Sequence, residues 1–119
     1  MLKAFLLIIG MAVSAAADER VLLSSDVILA DKTGDTELRR ITYRSDGLTV
    51  NGYLAVPKQG VRLPCVIFNR GGNPRMSLLD DERAAVVLGK IAAWGYVVAA
   101  SQYRGANGAE GTDEYAAPT

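Results

Sequence analysis

Two largely apolar runs, "VRLPCVIFN" at 61–69 and "YVVAASQY" at 96–103, flank a single helical segment, and that order admits few folds. Runs of this kind, with no polar alternation, are the pattern of strands buried on both faces. Between them Ala84, Val87, Leu88, Ile91 and Trp94 share one face at helical spacing, and Gly95 stands where a helix would stop. Ser77, three residues before Asp80, has the spacing of a capping box, and Asp81 and Glu82 favour the positive end of a helix dipole. Strand, loop, helix, glycine, strand is a βαβ unit, whose two strands run parallel. Cys65, between Pro64 and Val66, is expected as a small buried strand residue.

The segment before this unit has a different rhythm. "ELRRITYR" and "LTVNGYLAVP" alternate apolar and polar residues, and Ser45-Asp46-Gly47 joins them. That pattern predicts an antiparallel hairpin over an Asp-Gly turn, with one face wet. Residues 18–35, "DERVLLSSDVILADKTGD", read as a lead-in with one possible strand and a turn at Lys32-Thr33-Gly34-Asp35. The fold class expected is α/β, an antiparallel hairpin followed by a parallel βαβ unit.

The first 17 residues have the layout of a secretory signal peptide. Lys3 gives a basic start, "AFLLIIGMAVSA" an apolar run, and Ala15 and Ala17 the small residues of a cleavage site. The run is shorter than the roughly 20 apolar residues of a membrane-spanning helix. Export to the periplasm or medium is therefore expected, with no stable membrane anchor. Cys65 is the single cysteine and has no partner for an intrachain disulfide.

Charge narrows the function classes. Lys plus Arg equals Asp plus Glu at 13 each, so no net field draws the chain to nucleic acid or anionic lipid. The single Arg70-Gly71-Gly72 is then a chance match to an RNA-binding element. No metal site is expected, because the chain lacks histidine, and Asp80, Asp81 and Glu82 are accounted for by the helix start. No cofactor is expected either. A Lys does not follow the glycines as a phosphate loop requires, and Gly105, Gly108 and Gly111 lack the close spacing of a dinucleotide fingerprint.

The candidate site is the loop Arg70-Gly71-Gly72-Asn73, which leaves the carboxyl end of the first buried run, the edge where open α/β sheets bind ligands. Glycines there let backbone N–H groups face a cleft unobstructed. The residues alone leave two readings open: a strand-to-helix turn, or a cradle for an oxyanion. Tyr103-Arg104-Gly105 opens the loop after the second run, and Arg104 is expected to pair with a carboxylate or backbone carbonyls.

"YRSDGLTVNGYLAVP", "LPCVIFNRGGNP" and "AAWGYVVAASQYRGANGAEGTDEY", in this order and spacing, resemble the opening of the catalytic domain of the prolyl oligopeptidase (S9) family of serine peptidases. The resemblance runs from about Ile41 to Tyr115. It implies an incomplete α/β-hydrolase fold over 36–119, after a signal peptide at 1–17 and a lead-in at 18–35. Gly71-Gly72 would match the loop beside the oxyanion site. Arg70 stands where many members carry a tyrosine or histidine. Tyr103-Arg104-Gly105 would match the segment that shapes the next loop. The substrate implied is a peptide or ester.

The chain departs from the family in its chemistry. No serine lies in a G-x-S-x-G elbow, Ser45 and Ser101 included, and without histidine there is no general base for one. The chain alone is thus expected to be inactive, with no catalytic residue of its own. One sheet face would lack covering helices and could drive self-association. The alternatives are a small non-catalytic exported protein that binds a partner, and a truncated remnant.

Overall fold

The computed structural model describes residues 21–30, 34–71, 78–106 and 108–111. The signal segment with Ala15 and Ala17, and also Gly72, Asn73 and Ser77, lie outside the described residues. Five strands and one helix follow in the order β1 (Leu22–Ala30), β2 (Thr36–Ser45), β3 (Leu48–Pro57), β4 (Cys65–Phe68), α1 (Asp81–Ala92) and β5 (Val97–Ser101). The strands form one mixed sheet in the spatial order β1-β2-β3-β5-β4. The protein is a small mixed α/β domain.

The hairpin is built as its turn chemistry requires. Asp46 and Gly47 have φ of 50° and 75°, positive at both central positions of a two-residue turn, which matches the twist of the flanking strands. β2 and β3 then pair in unbroken register from Ser45↔Leu48 to Thr36↔Pro57. The lead-in supplies β1, a nine-residue strand antiparallel to β2.

β4 and β5 are parallel, and α1 connects them. β3 pairs antiparallel with β5, so β5 lies between the hairpin and β4. That junction is close. A Cβ on Gly52 would stand 2.5 Å from the carbonyl oxygen of Ala100, so β3 reaches β5 only with glycine there.

α1 starts one residue after Asp80, whose carboxylate accepts the N–H of Arg83 at 2.7 Å. The N-cap is therefore Asp80 itself, three residues later than the Ser77 spacing implies. An N-cap aspartate is typically worth about 1 kcal/mol over alanine. Asp81 and Glu82 occupy the first turn and Lys90 the last, each with the sign the helix dipole favours. Past the C-cap Ala93, Gly95 takes a φ of 96° and its N–H bonds to the carbonyl of Ala92. Trp94 lies beyond the helix and is 75% exposed, which corrects its expected place on the apolar face. The helix ends before Trp94 reaches the core.

α1 buries Ala84, Leu88 and Ala92 against Leu38, Tyr53, Ala55, Val98 and Ala100 of the sheet. Alanines on both layers bring the helix close, and Leu88 fills the centre with no exposed surface. Removing a leucine side chain from such a position costs about 2–5 kcal/mol.

The opposite face of the sheet corrects a second expectation. Among the described residues β4 ends the sheet, and its alternating burial leaves one of its faces open. Its Val66 and Phe68 lie toward the helix side, in register with Val98 and Ala100. Cys65 and Ile67 point the other way, and Cys65 is exposed, not buried, with Ile67 65% exposed. The apolar run is continuous, but α1 covers only one side of it. Across that outer face Ile67, Ala99, Leu54 and Arg39 align strand by strand. The row changes from apolar to charged at β2, where Arg39 pairs with Glu37 at 3.0 Å.

Candidate functional site

Parallel strands send their loops from the same sheet edge. The segments after β4 and β5 therefore meet, and buried polar groups tie them together. Arg70 is 6% exposed. Its Nη2 donates to the carbonyl of Gln102 at 3.0 Å, and its guanidinium carbon lies 4.8 Å from the centroid of the Tyr103 ring. The Tyr103 hydroxyl donates in return to the Arg70 carbonyl at 3.0 Å. A delocalised guanidinium is suited to this double task of stacking and donating.

Gln102 makes the second tie. Its side chain is fully buried, its Nε2 donates to the carbonyl of Leu79, and its Oε1 accepts the Leu79 N–H at 3.3 Å. One amide thus satisfies both backbone groups of the residue just before the helix cap. The backbone N–H of Gln102 bonds to the carbonyl of Asn51, which anchors the same residue to β3.

Tyr103 reaches Arg70 from an uncommon backbone conformation, with φ of 67°. Its N–H donates to the Ser101 Oγ at 2.9 Å, and that oxygen also bonds the Tyr43 hydroxyl at 2.6 Å. Arg104 turns away and pairs with Asp46 of the hairpin turn at 3.1 Å, both side chains being exposed. Gly105 has a φ of 73° and donates to the carbonyl of Glu110. Glu110 in turn clasps Thr49, its N–H to the Thr49 carbonyl and its carboxylate to the Thr49 N–H at 2.7 Å.

Of the residues the sequence singles out, Arg70 and Tyr103 come together, whereas Arg104 and Gly105 hold the second loop onto the hairpin. Gly71 follows Arg70 at the surface, and none of the described residues crowds the place where a side chain would start. Gln102 was missed. A signal for it exists: Val98, Ala100 and Gln102 share a parity, which continues the buried face into a polar residue.

A cleft of about 540 Å³ opens next to this brace, between β3 and the start of α1, lined in part by Asn51, Gly52, Asp80 and Glu82. Asp81 crosses its wall, accepting the Tyr53 hydroxyl at 2.7 Å and Arg40 Nη2 at 2.6 Å. These two donors hold the Asp81 carboxyl below the usual aspartate range. Burial, and then the bond to Asp81, push the Tyr53 phenol up to about 12. The hairpin register sets Arg40 opposite Tyr53, whereas Asp81 reaches both only because α1 packs on the hairpin, which nothing in the sequence pattern announces. Among the described residues no cluster of three or more histidine, cysteine or acidic side chains is placed to hold a metal ion. No described helix is long and apolar enough to cross a membrane.

Chemically, the edge offers a rigid brace under an exposed glycine, beside a polar cleft. Ser101 Oγ is engaged by the Tyr43 hydroxyl and the Tyr103 N–H, and the chain has no histidine to activate a serine. Comparison with protein-family models, curated proteins and solved structures finds no match to this chain.

Proposed function

We propose that this chain is the opening part of the catalytic domain of an exported serine hydrolase of the prolyl oligopeptidase (S9) kind, contributing the oxyanion side of its site. The observation that carries this reading is the cross-tied edge: the loops after parallel β4 and β5 are locked by Arg70, Gln102 and Tyr103, and Gly71 is left exposed there. A preorganised backbone at the carboxyl edge of a parallel pair is what stabilisation of a developing oxyanion needs. The antiparallel hairpin joined to the parallel pair through β3 and β5 is how an α/β-hydrolase sheet would begin.

In this reading the serine, its histidine and the orienting acid come from the rest of the protein, and the reaction is attack on a peptide or ester carbonyl through an acyl-enzyme. The outer row of Ile67, Ala99 and Leu54, exposed at Ile67 and half-buried at the other two, is then an internal surface of the larger domain. That same row favours a second reading, a small exported protein that docks a partner there.

An antibody against residues 18–119 separates the two. Captured from cell extract, a native product several-fold heavier than the fragment that reacts with a fluorophosphonate probe supports the hydrolase. A stable product of the fragment's own size, inert to the probe, overturns it and leaves the docking protein.

A further inference from the structure

The peptide bond between Arg70 and Gly71 is trans, so its carbonyl and its N–H leave the chain on opposite sides. The carbonyl side is occupied. Its oxygen accepts the Tyr103 hydroxyl at 3.0 Å, beneath a residue whose guanidinium is itself buried against the Tyr103 ring. The Gly71 N–H therefore leaves on the side away from Tyr103, at an exposed position where, among the described residues, no non-neighbouring atom lies within 4 Å of where a Cβ would stand.

Resting on the hydrolase reading above, we propose that Tyr103 is the positioning residue of the oxyanion loop: its hydroxyl fixes the plane of the Arg70–Gly71 peptide and so presents the Gly71 N–H to the oxyanion. Tyr103 touches no reacting atom. Three contacts make the brace stiff enough for this task. The Arg70 guanidinium stacks on the ring and bonds the Gln102 carbonyl, and the Tyr103 backbone is held by Ser101 Oγ. A rotor free on any of these sides would let the peptide plane swing. Misplacing a donor by about 1 Å is enough to cost on the order of 100-fold in rate.

The test uses the complete native protein that carries this segment, as wild type and as Tyr103→Phe. Phenylalanine keeps the ring under Arg70 and removes only the donor. Expected are a kcat lower by about 10- to 100-fold, an unchanged KM, a parallel loss of affinity for a boronic acid that mimics the tetrahedral intermediate, and a thermal midpoint lowered only by what the loss of one part-buried hydrogen bond costs. Tyr103→4-aminophenylalanine, which restores a donor, is expected to recover most of the loss. This second variant also stands in should the phenylalanine protein fail to fold: inactivity with a native thermal midpoint and a retained donor would overturn the proposal.

Wild-type protein that reacts with a fluorophosphonate, alongside a Tyr103→Phe protein of equal kcat and boronate affinity, overturns the positioning role and leaves the hydrolase reading intact. So does a loss confined to KM and the thermal midpoint, the mark of a merely structural prop. A wild-type protein inert to the probe overturns the hydrolase reading, and the positioning role falls with it.

Discussion

The hydroxyl of Tyr103 bonds to the carbonyl of Arg70 while the guanidinium of Arg70 lies on the ring of Tyr103, so each residue holds the other in place. They are 33 positions apart in the chain, at the ends of two parallel strands, and neither contact is local. Buried polar contacts of this type are costly when half broken, because the abandoned partner stays desolvated. The expected effects of substitution follow from that asymmetry.

Gln102→Leu keeps the volume and removes the amide, leaving the N–H and carbonyl of Leu79 without their partner in a fully buried setting. Stability is expected to fall by about 2–4 kcal/mol. Urea denaturation checks it, and a loss below about 0.5 kcal/mol would mean that the Leu79 backbone finds other partners.

Gly52→Ala is expected to be worse than its size implies. The new Cβ meets a backbone oxygen at 2.5 Å, and neither strand can yield without breaking the β3–β5 ladder. A loss of about 1–3 kcal/mol is the usual range for overpacking, and the rigid neighbour places this site at its upper end. Gly89→Ala serves as the control, because nothing stands within 4 Å of that position in the helix. The control is expected to stabilise slightly, since alanine is the better helix former.

Burial of Tyr53, and the bonds that Tyr53 and Arg40 give to Asp81, set two pH windows of opposite sign. Asp81 titrates lower in the fold than unfolded, so its contribution is present above the unfolded aspartate range and is lost as pH falls through the lowered folded value. Tyr53 titrates higher in the fold, at about 12 against an ordinary 10. Its contribution is complete below pH 10 and is lost as the pH rises from 10 toward 12. In Tyr53→Phe the alkaline loss in that window is expected to shrink, as measured by denaturation at stepped pH. An unchanged alkaline slope would show that Tyr53 does not carry it.

Ile67→Thr separates the outer face from the core. In isolated residues 18–119 the change removes exposed apolar surface, so solubility is expected to rise with little change in stability. If the proposed hydrolase reading holds, the same position is covered in the complete protein, and a loss of about 1–3 kcal/mol is expected there. Equal behaviour in both would remove the idea that this face is covered.

The hairpin was legible because its information is local. Alternation over 37–44 and 48–57 and the Asp46-Gly47 turn specify strands, register and turn without reference to the rest of the chain. The βαβ order was legible for a similar reason, since helical spacing between two apolar runs leaves little else to build. Cys65 and Ile67 were misjudged because an apolar run states only that a strand avoids water, and the number of covering layers depends on what else packs there. The spacing at Ser77 misplaces the helix start because Asp80 has equal capping chemistry and is the residue that caps α1.

At the candidate site the division is sharper. The position of Arg70-Gly71 after one strand and of Tyr103 after the next follows from the sequence, as does the conformational freedom that glycine brings. That Arg70 turns inward, that Tyr103 closes on its carbonyl, and that Gln102 clamps the residue before the helix were decided by the tertiary structure alone. Each of those bonds joins groups far apart in the chain, and only the parallel pairing of β4 with β5 brings them within hydrogen-bonding reach.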